Sequence, residues 1–251
     1  LISEAYVFMR DVLQMDQEEM AATFDEWNKG ELDSFLIEIT RDILRFKDSD
    51  GEYLLKKIRD VAGQKGTGKW TGINALEFGV PVTLIGEAVF ARCLSALKDE
   101  RVAASSVLPG PSNVTFKGDR AEILDHLRKA LYASKIISYA QGFMLMREAA
   151  KANSWNLSYG DIALIWRGGC IIRSAFLTNI NDAFVKNPKL SNLLMDPYFV
   201  DSISKSQNSM RVILTEAVRA GVPVPAFSSA LSFYDGYRSK VVPANLLQAQ
   251  R

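Results

Sequence analysis

Histidine and cysteine are nearly missing from this chain of 251 residues, which holds one histidine, His126, and two cysteines, Cys93 and Cys170. One histidine excludes a multi-histidine zinc site within the chain. Two cysteines are too few for a disulfide scaffold, and they lack metal-ligand spacing. No run of about 18 apolar residues occurs, so no segment reads as a membrane-spanning helix. No basic stretch leads into an apolar one at the start, so no secretory signal is read there. An excess of one charge is also lacking. Lys plus Arg number 30 against 29 Asp plus Glu, a net +1. That balance argues against a general nucleic-acid binder. The remainder is ordinary globular composition, 48% hydrophobic and 24% charged. Disorder is thereby excluded, and one or two domains with a sizeable core are allowed.

The apolar spacing is helical almost throughout, and the fold class read from it is all-α. Leu1, Ala5, Phe8, Met9, Val12 and Leu13 share one helix face with no N-cap ahead of them. The expectation is that Leu1 lies inside a helix that starts upstream, so that the chain is a fragment. Asp16 with Glu19 three residues on reads as a capping box opening a helix to about Trp27. Further helices are expected over Leu32–Phe46, Leu54–Val61, Thr71–Phe78 and Val82–Ala104, the last with Pro81 in its first turn. The longest runs from Asp119 to about Asn153, roughly 50 Å at the helical rise. Others follow over Asp161–Phe184, Leu190–Met195, Phe199–Ala220 and Pro225–Tyr237, with good helix formers over 245–251. Ser112–Lys117 reads as a loop or an isolated extension.

Three pairs of segments recur in order. Ile2–Met9 matches Ile137–Met144 at five of eight positions. Trp27-Asn28-Lys29-Gly30 lines up with Trp166-Arg167-Gly168-Gly169, and Gly79-Val-Pro-Val82 with Gly221-Val-Pro-Val224. The offsets drift slowly through 135, 139 and 142. The expectation is one helical domain over residues 1–251 with two related halves, about 1–110 and 111–251. The period is too long for a solenoid.

The glycine loop Gly63-Gln-Lys-Gly-Thr-Gly-Lys69 carries the clearest chemical signal. It nearly fits a phosphate-binding loop, but Trp70 stands where that motif needs a hydroxyl, and a helix precedes it rather than a strand. A nucleotide triphosphate site is therefore rejected. Exposed N–H groups, the Thr67 hydroxyl, Lys65, Lys69 and a helix N-terminus near Thr71 still describe an anion cradle. A flexible connection with solvated lysines describes the same residues equally well. Arg92 lies in the apolar stretch Ala88–Leu94, where burial would demand a partner. That partner is either an acid from another helix or a phosphate or carboxylate ligand. Gly168 and Gly169 fall inside a helical pattern, which suggests close packing. Cys93 and Cys170 read as buried small hydrophobes. Asp25 with Glu26, and Asp33 with Glu38, read as solvated helix faces. No G-x-G-x-x-G follows a strand, so no dinucleotide cradle is present.

Longer strings carry a resemblance. Ala62–Thr71, Gly79–Arg92, Ile165–Arg173, Trp27–Thr40 and Leu231–Arg238 closely resemble the decarboxylating 6-phosphogluconate dehydrogenases, and the likeness covers essentially the whole chain. The resemblance implies the large all-helical domain that follows an NADP-binding Rossmann domain and forms the homodimer. It implies the oxidation by NADP of a small phosphorylated sugar acid, 6-phosphogluconate, with loss of CO2 to ribulose 5-phosphate and no metal. The family's catalytic lysine and glutamate would lie upstream of Leu1, so no catalytic residue is expected here and the chain alone is expected to be inactive. Lys65, Thr67 and Arg92 match the family's phosphate ligands. Arg251 matches an arginine that reaches the phosphate from the partner subunit. Ile171 matches a backbone position beside the substrate. From the residues themselves, the charge balance and the lack of a long apolar run leave no nucleic acid and no membrane as expected partners, and the absent signal with two unpaired cysteines favours a cytoplasmic location. The alternatives are a non-catalytic dimerisation or phosphosugar-binding module without the cofactor domain, and a helical adaptor without a ligand.

Overall fold

The computed structural model describes residues 1–112 and 115–251. Its helices run α1 (Ile2–Val7), α2 (Gln17–Trp27), α3 (Phe35–Arg45), α4 (Thr67–Glu77), α5 (Thr83–Ala96), α6 (Lys98–Ser105) and α7 (Arg120–Asn153). Then come α8 (Tyr159–Ile165), α9 (Phe176–Lys186), α10 (Pro197–Ala220), α11 (Pro225–Tyr237) and α12 (Ala244–Ala249). Among the described residues there is no β-strand, only the isolated bridges Ser34–Ser174 and Lys47–Tyr53. The all-α reading holds. The expected extension over 112–117 lies partly outside the described residues.

Helix ends fall where side chains satisfy the orphan N–H groups. Asp16 Oδ1 accepts from Glu19 N–H at 2.9 Å, and Glu19 Oε2 accepts from Asp16 N–H at 2.9 Å. That reciprocal pair is the expected capping box. Asp119 accepts from Ala121 and Glu122 and opens α7, whose 34 residues span about 50 Å. α7 buries residues on several faces, from Ile123 to Ala150, and packs along α10. Phe8, Phe24, Phe176, Phe199 and Phe227 are fully buried in the surrounding core. Among them Phe176 meets Tyr139 and Phe199 edge to face.

The Gly79 and Gly221 segments take matching geometry, whereas Ile2–Met9 runs into a π turn at Phe8 and Ile137–Met144 lies inside α7. Gly79 and Gly221 both sit at positive φ, +65° and +68°, a conformation glycine adopts without strain. Five residues after each, an uncapped helix start receives a side chain from a distant helix. Gln141 Oε1 accepts from Leu84 N–H at 3.0 Å, and Glu4 Oε1 accepts from Ala226 N–H at 2.7 Å. The two helices so capped, α5 and α11, pack on each other. Around the Ser34–Ser174 bridge, Phe35 donates to Arg173 C=O and Ala175 donates to Asp33 C=O.

Several helical expectations are corrected. The Val82–Ala104 run breaks at Leu97 into α5 and α6, and Pro81 precedes the N-cap Val82 rather than lying in the first turn. Asp161–Phe184 breaks into α8 and α9, with residues 166–175 outside any helix. Gly169 there has φ +66°, so those glycines serve a turn and not helix packing. α3 starts at Phe35 because the Ser34 hydroxyl caps it. Leu54–Lys57 and Leu193–Met195 form only short 3-10 turns. α1 widens into a π turn over Phe8–Val12, with Leu13 N–H reaching Phe8 C=O.

Lys135 is a charge in the α7 core. Its ammonium donates to Ser174 Oγ at 2.5 Å and faces the Phe176 ring at 5.1 Å. Burial pushes its pKa down to about 8, partly opposed by Asp33. The folded state then holds fewer protons than the unfolded chain between pH 8 and the ordinary lysine value, so stability rises with pH across that window. The burial cost is fully present below about pH 8. Lys135→Met is expected to raise stability at pH 7 by about 1–3 kcal/mol, with the gain fading towards pH 10. Urea denaturation at pH 7, 8.5 and 10 measures it, and a gain independent of pH would contradict the assignment.

Candidate functional site

The glycine loop is shaped by its neighbours rather than by its own hydrogen bonds. Gly66 takes φ +125°, a region closed to most side chains, and turns the chain directly into α4. α4 therefore begins at Thr67, four residues earlier than the spacing suggested. Its first turn has no side-chain cap, so the N–H groups of Thr67, Gly68 and Lys69 have no helical carbonyl to meet. Gly68 lies so close to α5 that a Cβ there would meet Val89 Cγ2 at 2.6 Å. This close approach requires a glycine.

At the other end of the loop, Ser95 Oγ on α5 accepts from Ala62 N–H at 2.9 Å and faces Ala62 C=O at 3.1 Å. Residues 62–68 thus run antiparallel to α5, held at Ser95 and at Val89. Arg92 sits between those two anchors, within one turn of each. The loop's base is held by Asp60, which takes Lys98 Nζ at 2.6 Å and Arg101 Nη2 at 3.2 Å. The Lys98 contact, more than Arg101, holds the Asp60 carboxyl down at a pKa of about 2.

The electrostatics are one-sided. Lys65, Lys69 and Arg92 form no ion pair among the described residues. Arg41, Arg120, Arg173 and Arg211 are all matched to carboxylates. The Thr67 hydroxyl has no hydrogen-bond partner among the described residues, while its carbonyl accepts from Thr71. Arg92 is exposed, which corrects the expectation of a buried arginine seeking an acid. Its apolar neighbours are exposed with it, Phe90 at 68% and Leu94 at 58%. Three cations, a hydroxyl and a helix N-terminus face solvent together. That set can take a multiply charged oxyanion.

The other expected residues lie apart from this group. Ile171 is exposed in the 166–175 turn, and no hydrogen bond among the described residues ties that turn to the loop. Arg251 follows α12, whose residues are all exposed. Residues 240–251 hydrogen-bond only among themselves among the described residues. Cys93 is exposed and Cys170 partly so, which corrects their reading as buried hydrophobes. His126 Nδ1 lies 2.9 Å from Ser209 Oγ, a structural contact. Glu38 pairs with Arg173, Asp25 with Arg41 and Glu26 with Lys29, while Asp33 forms no ion pair among the described residues. A cavity of about 710 Å³ opens beside the base of the loop, lined by Tyr6, Arg10, Gln17, Tyr53, Arg59 and Asp60, among others. Sequence reasoning missed Asp60, Ser95, Lys98 and Arg101. Asp60 and Arg101 are 41 residues apart, beyond any local periodicity.

Comparison with known proteins identifies the fold and the family. The family model for the 6-phosphogluconate dehydrogenase C-terminal domain matches residues 1–251. The decarboxylating 6-phosphogluconate dehydrogenases of Ovis aries and Homo sapiens are each 64% identical over 251 residues. Each match covers 100% of this chain and 52% of the relative, so the chain spans about half the length of these relatives. The solved 6-phosphogluconate dehydrogenase of Plasmodium falciparum superposes with a TM-score of 0.94 at 42% identity, over 100% of this chain and 54% of that one. That enzyme is known in its apo form, with its cofactor NADP+ and with its substrate 6-phosphogluconate. Residues 1–251 therefore belong to the 6-phosphogluconate dehydrogenase family, as its helical C-terminal domain.

Proposed function

We propose that this chain is the substrate-binding and dimer-forming domain of an NADP-dependent, decarboxylating 6-phosphogluconate dehydrogenase. The single observation that carries the reading is the unpaired cationic group along α5: Lys65, Thr67 and Arg92 beside the open N-terminus of α4. A phosphate monoester carries nearly two charges at neutral pH and needs several donors at once. Lys65 supplies a mobile ammonium, Thr67 a hydroxyl and Arg92 a planar fork for two oxygens. Ile171 would border the sugar through its backbone, and Arg251 would reach the phosphate from the partner subunit. The free-standing segment 240–251 supports that last assignment.

The chemistry belongs to groups outside this chain. NADP+, held by residues outside this chain, would supply the hydride-acceptor chemistry at the 3-hydroxyl carbon. Among the described residues no strand–turn–helix cradle fits a dinucleotide, so cofactor binding is assigned to the other half of the protein. The lysine base and glutamate acid are assigned there as well. The residues present bind and orient the phosphate end, which fixes the reacting carbons relative to those groups. No metal is called for in this reading.

Homodimerisation is supported by the apolar surface of α4–α6. Trp70, Leu76, Phe90, Leu94 and Val102 on these helices, and Leu97 at the α5–α6 break, are all exposed, more than scattered surface residues account for. The paired segments support a domain of two related halves, about 1–110 and 111–251. A cytoplasmic location is part of the same reading, supported by two unpaired thiols.

The chain on its own is expected to form no NADPH from 6-phosphogluconate and NADP+. An absorbance assay at 340 nm measures this, and turnover by the isolated chain would refute the division of labour. In the full-length enzyme, Arg92→Ala is expected to raise KM for 6-phosphogluconate by about ten- to a hundredfold with kcat little changed. Steady-state kinetics with varied substrate decide it, and an unchanged KM removes Arg92 from the site.

A further inference from the structure

The segment expected as one continuous helix, Val82–Ala104, breaks at Leu97, and the break coincides with the fastening of the glycine loop. In an unbroken helix the Ser95 carbonyl would accept from the N–H four residues on. Here it accepts from the Arg101 side chain at 3.0 Å. The same Nη2 of Arg101 reaches Asp60 C=O and Asp60 Oδ2, each at 3.2 Å. Lys98, in the first turn of α6, takes the other Asp60 oxygen. The break therefore turns α6 so that it grips the base of the loop.

Ser95 is the second fastener. Its hydroxyl has one proton and two carbonyls within reach, Arg92 at 2.7 Å and Ala62 at 3.1 Å, while it accepts from Ala62 N–H. One hydroxyl thus joins the backbone of the phosphate arginine to the backbone of the loop that carries Lys65 and Thr67. At the far end Gly68 is held against Val89. Between these anchors residues 63–66 have no regular structure, and Thr67 opens α4. Without the Ser95 link, the anchors left are Gly68 and Asp60, and the six-residue span 62–67 could slide along α5.

We propose that Ser95, seconded by the Asp60–Lys98–Arg101 knot, is a positioning residue that sets Lys65 and Thr67 in register with Arg92 on the phosphate. This rests on the phosphate-site reading above. The Ser95 hydroxyl bonds only loop and helix backbone, so its effect falls on the phosphate end and not on hydride transfer.

The test uses the full-length enzyme with Ser95→Ala, Ser95→Thr and Arg92→Ala made in parallel. Ser95→Ala is expected to raise KM for 6-phosphogluconate about tenfold, with kcat and the NADP+ KM within about twofold. Ser95→Thr keeps the hydroxyl and should stay close to the parent enzyme. The rise in melting temperature given by inorganic phosphate, which needs no turnover, should shrink in Ser95→Ala and persist in Ser95→Thr. A raised KM in Arg92→Ala beside an unmoved KM in Ser95→Ala would overturn the positioning role and leave the phosphate site standing. An unmoved KM in Arg92→Ala would overturn the phosphate reading itself. A Ser95→Ala enzyme with kcat and NADP+ KM damaged as much as the substrate KM would reduce Ser95 to a general stability contact.

Discussion

Gln141 is fully buried in the middle of α7, and both ends of its amide are used. Its oxygen accepts Leu84 N–H, and its nitrogen donates to Thr83 Oγ1. A buried amide left unpaired would cost on the order of 1–3 kcal/mol, so these bonds are strongly specified. They fix where α5 starts and which way it leaves the core. Everything at the surface site is then measured from α5. Val89 receives Gly68, Ser95 receives Ala62, and Arg92 falls between them. The order of dependence runs from the long helix through one amide to the loop.

The site itself is open, and that follows from the same arrangement. α5 packs one side against α11 and α7 and leaves the other apolar and uncovered, with Phe90 and Leu94 in solvent. An open cationic site competes poorly with water for an anion unless something excludes solvent. The free arm 240–251 and the uncovered face of α4–α6 fit a site that a second subunit completes. On the proposed reading, the electrostatic part of the site belongs to this chain, and a second subunit would supply its enclosure.

Much of the fold was legible where local chemistry decides. The Asp16–Glu19 box, the Asp119 cap and the Pro225–Tyr237 helix follow from side chains acting within a turn. The long α7 was legible because its apolar pattern is uninterrupted. The failures are long-range. Nothing local breaks the helix at Leu97; what the break gives is the Arg101 grip on Asp60 and on the Ser95 carbonyl. The run 166–175 reads as helical, yet it forms turns that lead to the Ser174 bridge with Ser34. Arg92 was singled out for the wrong reason. Its apolar surroundings suggested burial, whereas the helix exposes that whole stretch. Lys65 and Thr67 stood out as candidates because glycines and cations cluster in the chain itself. Ser95 was not, since a lone serine inside a helix carries no signal until its partner 33 residues away is seen.

A crystal structure of the full-length enzyme with 6-phosphogluconate bound tests the account most directly. The account predicts phosphate oxygens about 3 Å from Lys65 Nζ, Thr67 Oγ1 and the Arg92 guanidinium, with the Ser95–Ala62 bonds intact. A phosphate bound in the cavity beside Gln17 and Arg59, or a loop lifted off α5 in the complex, would contradict it.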